Sequence, residues 1–312
     1  MLFLKNKMKI IINEENNGKR VDLALSELSD FSRSMIQKII INKKLLCNEE
    51  IVLKANKTTK TGEEYFLEPI ESNFTKITPE KYDLEILFED QYLIIVNKPA
   101  ELIIHPGAGN FNNTLVNKLA YHCSLSDING PEKLGTVHRL DKGVSGCIIF
   151  AKDNITHANI NDQFASRTIK KTYYAISHGT TNSEKHYLEN YISRSKINRK
   201  KMAISEKEGK LAQMYFKIKK TIQHNDKNLS LIECNPITGR MHQIRLQLSK
   251  FKLPIVNDCL YGIKECPSMK TLFYKRMGLH AKNITLMHPK TKIEMKIESP
   301  FPKEFTDLFE IL

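Results

Sequence analysis

Long apolar runs are what this chain of 312 residues most clearly lacks. No stretch approaches the roughly 18–20 consecutive apolar residues that a membrane-spanning helix needs. The first residues, MLFLKNKMKIII, are interrupted by lysines and lead to no small-residue cleavage site, so a secretory signal is not expected. With 41% hydrophobic and 27% charged residues, the composition is that of a soluble globular protein. We expect a cytoplasmic location.

Cysteine is scarce, and its spacing is not that of a metal or disulfide site. The six cysteines stand apart, without a CxxC pair, at positions 47, 123, 147, 234, 259 and 266. This argues against a zinc site and a disulfide framework and for a reducing compartment. The sequence also has no Gly-rich dinucleotide fingerprint, no Walker loop and no metal-ligand cluster. We therefore expect neither a metal nor a small-molecule cofactor.

Arginine is also scarce, although the chain is strongly basic. The net charge is +13, and only nine of the 48 basic residues are arginine. An excess of this size favours a polyanionic partner, above all nucleic acid. A lysine-rich composition can arise without any function, so the arginines are more informative than the lysines. Each arginine is a candidate for a task that needs a planar, bidentate fork.

The length favours two domains, and we place the boundary near residue 75. Apolar residues at helical spacing predict one helix from Val21 to Leu28 and a second, capped by Ser32 or Ser34, that carries Met35 to Ile40. A hairpin of residues 45–47 and 51–53 and a strand over 64–68 follow. The sequence thus predicts a small α/β module over residues 1–75 with its core at 18–70, a polar linker over 76–83 and a second domain over 84–312.

Strands dominate the second domain, with a few helices between them. Hairpins are predicted where apolar runs flank a polar turn, and helices where apolar residues share one face. The predicted hairpins join 84–88 to 92–96 and 213–222 to 229–235; the predicted single strands are 147–151 and 171–178, and the predicted helices are 113–122, 156–167 and 241–251. Antiparallel pairs with interspersed helices indicate an α+β fold and not alternating βαβ units.

Three short clusters hold the candidate chemical groups. They are His138-Arg-Leu-Asp141, Lys171-Thr-Tyr173 and Thr238-Gly-Arg-Met-His-Gln-Ile-Arg245. Singly, each has a plainer explanation. A lone aspartate in a glycine-edged turn is more often a turn residue than a catalyst, Lys-x-Tyr in a strand usually reflects packing, and Thr-Gly-Arg before a helix is commonly a cap. Their occurrence together, in this order, is what makes them informative.

Together the clusters resemble the sequence blocks of the RluA family of pseudouridine synthases. The resemblance extends over residues 84–300, and the HPGAGN loop and the segment 192–204 look closest to the RluD type, the branch that acts on large-subunit ribosomal RNA. The N-terminal module is similar to the small RNA-binding domain named after the S-four ribosomal protein. The matching blocks are NKPAELIIHPGAGNFNNTLVNKLAYH (97–122), VHRLDKGVSGCIIFAKD (137–153), RTIKKTYYA (167–175), ITGRMHQIRLQLSKFKLPIVNDCLYG (237–262) and LHAKNITLMHP (279–289).

Three positions depart from the family pattern. Glu101 and Asn257 stand where the family usually has glycine, and Val144 stands where it usually has threonine. Valine is nearly isosteric with threonine but lacks the hydroxyl, a loss of about 1 kcal/mol if that group was hydrogen-bonded. None of the three residues is expected to carry the chemistry.

The resemblance implies a pseudouridine-synthase fold, with a mixed, largely antiparallel sheet and flanking helices. It also implies a reaction in which uracil leaves its ribose, turns and rejoins through ring carbon 5, without redox change or cofactor. Asp141 is implied as the catalytic carboxylate, which attacks the anomeric carbon or takes a proton from the ribose. Arg240 is implied as the cation that keeps Asp141 ionised and oriented.

The other site residues follow from the same resemblance. Tyr173 is expected to stack on a uridine flipped out of the RNA. Arg139 is expected to fill the vacated space or to hold a phosphate. Lys171 and Arg245 are expected to support the site or the backbone, and His138 is expected to be structural.

The expected partner is large-subunit (23S) ribosomal RNA or its precursor, and a monomer is the default expectation. Contacts to this RNA are expected from the N-terminal module and from the basic segment near residue 200, which could instead be a solvated loop. The predicted RNA-binding residues are Arg20, Arg33, Ser34, Gln37 and Lys38 in the module, and Arg194, Arg199, Lys200 and Lys201 in the segment.

Three alternatives stay open. The substrate could be transfer RNA or another ribosomal site. The protein could be a non-catalytic ribosome assembly factor, although such a protein has no need of Asp141, Tyr173 and Arg240 together. It could also be a nucleic-acid hydrolase, but nucleases typically gather several carboxylates around metal ions, and that arrangement is absent from the sequence.

Overall fold

The computed structural model describes residues 8–29, 31, 33–68, 77–107, 110–130, 133–183, 185–205, 207–224, 227–263 and 276–311. The chain divides into two compact units, Met1–Thr75 and Lys76–Leu312. Within the described ranges, none of the helices combines the length and the apolar character needed to cross a bilayer.

Unit 1 is a four-stranded antiparallel sheet with two short helices. The sheet has the order β1-β4-β2-β3, and the helices bury their apolar side chains, including Leu25 and Ile36, in the same cluster as Tyr65. The elements are β1 (Met8–Ile11), a 3-10 turn (Glu14–Asn16), α1 (Val21–Glu27), α2 (Arg33–Ile41), β2 (Leu45–Cys47), β3 (Glu50–Ile51) and β4 (Glu64–Leu67). The two predicted helices, the hairpin and the last strand are confirmed.

The identity of unit 1 as an S-four-type domain stays a prediction, as does its RNA-binding role. β1 was not predicted from the sequence. It pairs antiparallel with β4, from Met8 opposite Leu67 to Ile11 opposite Glu64. A strand of four residues at the start of a chain carries too little periodicity to stand out.

Unit 2 is built on one sheet of ten strands. Nine of them follow the order β10-β9-β11-β12-β8-β13-β7-β6-β5, and β14 pairs with β13. All pairs are antiparallel except β13 with β7, so the predicted α+β class and the mixed, largely antiparallel sheet are confirmed. The strands are β5 (Ile86–Glu89), β6 (Leu93–Lys98), β7 (Ser145–Ala151), β8 (Lys170–His178), β9 (Lys185–Arg194), β10 (Met202–Ser205), β11 (Lys210–His224), β12 (Lys227–Pro236), β13 (Leu279–Met287) and β14 (Glu294–Glu298).

Helices cover both faces of this sheet. They are α3 (Leu115–His122), α4 (Asn154–Ala165), α5 (Gln243–Lys250) and α6 (Lys303–Phe309). β7 is buried throughout, and its residues alternate between the two faces: Ile148 and Phe150 pack with α3 and α5, whereas Cys147 and Ile149 pack with α4. α6 packs on that second face further along the sheet, against Ile176 and Leu231.

The predicted elements of unit 2 are confirmed within a few residues, and four strands are additional. The strands β9, β10, β13 and β14 were not predicted, although β14 alternates polar and apolar residues from Glu294 to Glu298. The helix predicted over 241–251 begins at Gln243, since the preceding residue, His242, has the left-handed conformation with φ 56°.

Residues 77–83, predicted as a linker, belong to unit 2. Ile77 is buried in the main core cluster. The side-chain amide of Asn117 on α3 donates to the carbonyl of Thr78 at 2.9 Å, and the Glu80 N–H donates to the Asn117 carbonyl at 3.0 Å. The first residue of the predicted linker, at position 76, lies outside the described residues, as do residues 69–75 before it.

Two departures from the family pattern coincide with unusual backbone conformations. Glu101 has φ 66° and Asn257 has φ 57°, in the left-handed region where glycine is favoured. These are the positions where the family usually has glycine. Asparagine tolerates this region well, whereas Glu101 keeps the conformation because its N–H donates to the Lys142 carbonyl at 2.8 Å.

Gly146 is required where β7 meets β13. Its φ is 110°, and a Cβ placed there would lie 2.2 Å from the carbonyl oxygen of Ala281. We expect Gly146→Ala to destabilise the protein by about 3 kcal/mol, because backbone strain and the clash add. Thermal unfolding measures the loss. Gly107→Ala is the control, since that site has open space and an ordinary φ; equal melting temperatures for the two variants would contradict the expectation.

Candidate active site

A cavity of about 180 Å³ opens beside Asp141. The six predicted catalytic and supporting residues, which are spread over more than 100 positions of the sequence, all line it. Asp141 lies in the loop 138–144, ahead of β7. The six predicted residues among its lining are Arg139, Asp141, Lys171, Tyr173, Arg240 and Arg245.

Arg245 links two carboxylates at the centre of the site. Its Nη1 donates to Oδ2 of Asp141 at 2.7 Å, while its Nε and Nη2 donate to the two oxygens of Asp258 at 2.7 and 2.8 Å. The Arg245 side chain is 7% exposed, Asp258 is fully buried and Asp141 is 20% exposed. The arginine is therefore held by the buried acid and presents one N–H group to the accessible one.

Asp258 is itself fixed by the backbone. Its Oδ1 also accepts the N–H groups of Leu260 at 2.9 Å and Tyr261 at 3.1 Å. Burial by itself would raise the pKa of Asp258, but the hydrogen bonds and charge of Arg245 outweigh it and hold the pKa below its usual value. The same pairing overcomes burial and raises the pKa of Arg245, so this pair is ionised.

The prediction that Arg240 pairs with Asp141 is wrong. The Nε of Arg240 donates instead to the carbonyl of Leu211 on β11, at 2.9 Å. Arg240 precedes the helix, whereas Arg245 lies in the first turn of α5 and is buried behind Asp141. Both arginines line the cavity, and sequence alone gave no means of deciding which one reaches the acid.

His242 is a site residue that the sequence analysis did not single out. Its Nε2 lies 3.7 Å from Oδ2 of Asp141, and its Nδ1 lies 3.0 Å from the hydroxyl of Tyr261. That hydroxyl accepts the N–H of Met202 at 2.7 Å, so its own proton is available to Nδ1. The ring proton of the neutral imidazole then sits on Nε2, toward Asp141. Burial lowers the pKa of His242 although the charge of Asp141 opposes it, which favours this neutral form.

Tyr173 and Lys171 lie two residues apart on β8, and their surroundings differ. Tyr173 packs against the main core cluster, and burial, together with the charge of Asp141, raises the pKa of its phenol. The ring is therefore neutral and half-buried at the cavity wall. Burial lowers the pKa of Lys171 to about 8. Arg139, in contrast, is exposed at the mouth of the cavity.

The buried Lys98 fixes the loop that carries Asp141 by hydrogen bonds to backbone carbonyls. The Nζ of this fully buried lysine donates to the carbonyls of Pro99, Leu102 and Lys142 at 2.8, 2.9 and 3.1 Å. Burial lowers its pKa to about 7. Lys142 directly follows Asp141, so these bonds fix the backbone next to the acid.

His138 and Val144 fix the two ends of the same loop. The Nε2 of His138 accepts the N–H of Ile149 on β7 at 2.9 Å, and burial lowers the pKa of the ring to about 3. His138 is thus a neutral structural acceptor. Val144 is buried in the core, which accommodates the methyl group that stands in place of the usual hydroxyl.

Three of the five predicted RNA-binding residues of unit 1 converge on a buried carboxylate. Asp22 accepts hydrogen bonds from Arg20, Arg33 and Gln37, at 3.0 Å, 3.0 Å and 2.6 Å at the shortest. Burial opposes ionisation of Asp22, but these bonds lower its pKa. About half of each arginine side chain stays exposed. Lys38 lies on α2, the helix that also carries Arg33 and Gln37. The side chain of Ser34 lies outside the described residues.

The predicted RNA-binding residues of unit 2 lie at the turn between β9 and β10. Arg194 ends β9, and its Nη1 donates to the carbonyl of Arg199 at 3.0 Å. The Nζ of Lys201 lies 5.8 Å from the ring centre of Tyr261. The base of the hairpin therefore contacts the tyrosine that orients His242. Arg194, Arg199 and Lys200 are exposed.

Metal-binding potential is low in the part of the chain that the structure describes. It holds no group of three or more His, Cys, Asp or Glu side chains that could bind a metal ion. The carboxylates nearest the cavity, Asp141 and Asp258, are both bonded to Arg245, which occupies the position that a cation would need.

Comparison with known proteins gives consistent matches. The family model described as RNA pseudouridylate synthase matches residues 92–250, about half of the chain. An "Uncharacterized RNA pseudouridine synthase YlyB" of Bacillus subtilis is 32% identical over 98% of both chains. The "Ribosomal large subunit pseudouridine synthase D" of Zymomonas mobilis is 38% identical over 75% of this chain and 74% of its own. The solved structure of Human RNA Pseudouridylate Synthase Domain Containing 1 covers 70% of this chain and 84% of its own with a TM-score of 0.57 and 22% identity, a likeness of fold.

We expect Asp258→Asn to destabilise the protein by about 3 kcal/mol at pH 7, because a buried arginine loses its paired charge. The folded-state pKa of Asp258 is lowered, so its contribution is present above the unfolded value near pH 4 and is lost as the pH falls through the folded value. Denaturant unfolding at pH 7 and pH 3 measures this.

The exposed Asp83 supplies the control, Asp83→Asn, which should unfold like the native protein at both pH values. The gap between Asp258→Asn and the native protein should shrink on acidification. A gap that stays constant with pH would contradict the assigned role of the charge pair.

Proposed function

Since the chain belongs to the RNA pseudouridylate synthase family, we propose that it isomerises uridine to pseudouridine in large-subunit ribosomal RNA, with Asp141 as the catalytic carboxylate. Family membership makes the protein an RNA pseudouridine synthase, an isomerase. The observation that supports the proposed site most directly is the cavity in which Asp141 meets Arg245, Tyr173 and Lys171. The precise RNA and the role of each residue are the proposal.

The reaction needs one ionised carboxylate near the sugar. The bond between N1 of uracil and C1′ of ribose breaks, and a bond from C5 to C1′ forms; the proton on C5 is lost, and N1 gains one. Asp141 acts either by attacking C1′ or by removing a ribose proton. Both routes need a negative oxygen that faces the ligand. One oxygen of Asp141 is bonded to Arg245, which leaves the other for the reaction.

Arg245 also sets how strongly Asp141 is neutralised. Its single positive charge is shared between Asp141 and Asp258, so the three groups together keep one negative charge. An arginine bonded to Asp141 alone would compensate it more completely and make it a weaker nucleophile or base. The shared arginine orients the acid while preserving its reactivity.

Asp141 lies in a cavity whose lining also includes Tyr173 and Arg240, and a base stacked inside a helix cannot reach it there. A uridine in structured RNA therefore has to be flipped out, at a cost of a few kcal/mol. Stacking on Tyr173 would return roughly 1–3 kcal/mol. Arg139 is exposed at the entrance, where it can fill the space left in the RNA or hold a phosphate.

Ribosomal RNA is the proposed substrate for three reasons. The Zymomonas mobilis relative bears the name of a large-subunit enzyme. The net charge of +13 suits a large polyanion. Unit 1 presents partly exposed arginines around Asp22. The proposed location is the cytoplasm, where ribosomes assemble. Mapping pseudouridine by carbodiimide treatment and primer extension, in cells with and without the protein, tests the substrate: sites in transfer RNA alone would overturn the ribosomal assignment.

Asp141→Asn is expected to abolish pseudouridine formation, a loss of at least about 10³-fold, because the amide can neither attack nor accept a proton. RNA affinity should stay within several-fold of native. Tritium release from 5-tritiated uridine in RNA measures turnover, and filter binding measures affinity. The exposed Asp307→Asn is the matched control and should turn over normally. Turnover retained by Asp141→Asn would remove the acid from its role.

Removal of residues 1–75 is expected to weaken ribosomal RNA binding by about tenfold or more, because it deletes several phosphate contacts. Unit 2 has its own core and should unfold cooperatively on its own. Filter binding and thermal melting measure the two effects. Native affinity in the truncated protein would contradict an RNA-binding role for unit 1, and loss of the cooperative transition would contradict the independence of unit 2.

A further inference from the structure

Two exposed tyrosines lie side by side on strands β9 and β11. The strand register places Tyr187 directly opposite Tyr215, with ring centres 4.9 Å apart and an angle of 41° between the rings. Tyr187 is 44% exposed and Tyr215 is 55% exposed. The Tyr187 hydroxyl donates to Glu189 at 2.5 Å and accepts from Gln213 at 2.9 Å, which holds the pair in place. Paired aromatic rings on an open sheet face are a surface on which unpaired bases stack.

Polar groups continue this row across the sheet. Asn235 on β12 stands opposite Tyr215, and its side-chain amide donates to Oγ1 of Thr172 on β8 at 3.1 Å. Thr172 precedes Tyr173, so the row is on the face opposite the catalytic cavity. We call Tyr187, Tyr215, Asn235 and Thr172 the platform. Its amide and hydroxyl groups can bond the edges of bases that stack beside them.

A continuous path leads from Asp141 to the platform. A cavity of about 460 Å³ shares Arg139, Tyr173 and Arg240 with the catalytic cavity. It also shares Arg167, Ile169 and Ile237 with a groove of about 640 Å³ that contains Tyr215, Asn235 and Thr172. The path turns around the start of β8 and the end of β12. A strand entering the catalytic cavity can therefore continue onto the platform without leaving the protein surface.

The groove carries an excess of positive charge. Five cationic side chains line it, among them Arg167 and Lys170, against the two acids Glu233 and Glu298. Arg167 is exposed at the turn of the path, and its Nη1 donates to the neutral Gln213 at 3.3 Å. This leaves most of its N–H groups for a phosphate. Lys170 is exposed at the start of β8. The occupant that fits this charge and these rings is a single strand of nucleic acid.

We propose that the platform binds single-stranded RNA adjacent to the isomerised uridine, with one base stacked on Tyr215. The inference rests on the proposed function in one respect: the RNA strand runs outward from the catalytic cavity because the uridine is isomerised there. A duplex does not fit the same role, because its base faces are hidden within the helix. Binding is then tolerant of sequence but sensitive to strand pairing.

The test uses the full-length protein and a fluorescein-labelled oligouridylate of twelve nucleotides. Tyr215→Ala should weaken its binding about tenfold or more, the loss expected for one base stack, as measured by fluorescence anisotropy. Tyr215→Phe keeps the ring and should bind within about twofold of native. Tyr121→Ala removes a tyrosine of equal exposure, 56%, from α3, and should also bind normally.

Arg167→Gln should weaken binding and reduce its dependence on salt, since one phosphate contact is lost. Native affinity in Tyr215→Ala would overturn the proposal, as would an equal loss in Tyr121→Ala or an equal loss for a fully paired RNA duplex. If Tyr215→Ala alters the melting temperature, the proposal is judged on Arg167→Gln, which keeps the packing of the sheet; native affinity and native salt dependence in that variant would overturn it.

The outcome is separable from that of the proposed function. On a ribosomal RNA substrate, Tyr215→Ala should raise KM and leave kcat within about twofold, whereas Asp141→Asn should remove kcat. Normal oligouridylate binding by Tyr215→Ala alongside an inactive Asp141→Asn protein would refute the platform alone. If Tyr215→Ala weakens oligouridylate binding but the native protein forms no pseudouridine, the proposed function is refuted and the platform is kept.

Discussion

The site depends on one buried guanidinium that holds two acids at once. Arg245 bonds Asp258 with two N–H groups and Asp141 with one, so the position of the accessible acid follows from the position of the inaccessible one. Moving charged groups out of water is costly, and a removed partner leaves an uncompensated buried charge. The charge of Asp258 is compensated by Arg245 and by two backbone N–H groups that donate to its carboxylate. Asp141 therefore does not have to be buried itself to be held.

The loop around Asp141 is fixed by bonds that involve neither the acid nor the substrate. The buried Lys98 donates to three backbone carbonyls, and the ring of His138 accepts a backbone N–H from β7. The N–H of Glu101, which has a left-handed backbone conformation, donates to the carbonyl of Lys142. Such bonds reduce the freedom of the loop before RNA arrives, so less ordering is required on binding. On the other side, the hydroxyl of Tyr261 bonds both His242 and the start of β10, and Nε2 of His242 lies 3.7 Å from Oδ2 of Asp141.

The sheet brings these parts together and gives unit 2 two different surfaces. β8 contributes Lys171 and Tyr173 to the catalytic cavity and Thr172 to the opposite face, because neighbouring residues of a strand point to opposite sides. The positive residues Arg167 and Lys171 lie between the two surfaces. Charge at this edge suits an RNA strand whose flipped nucleotide enters on one face while its neighbours pass to the other.

The sequence by itself determined the fold class and most helices and hairpins, because local periodicity records them directly. It also determined the set of six residues around the cavity, through the family that its short motifs resemble. It did not determine which arginine holds Asp141, since α5 begins two residues later than its periodicity indicates and the left-handed His242 changes where the helix points. The strands β9, β10, β13 and β14 were also missed, although β9 pairs with β10 and β13 with β14 as neighbours in the chain. Nor did the sequence reveal the roles of His242, Asp258 and Tyr261. Those depend on contacts between residues far apart in the chain, and only the tertiary structure decides which of several polar side chains come within hydrogen-bonding distance.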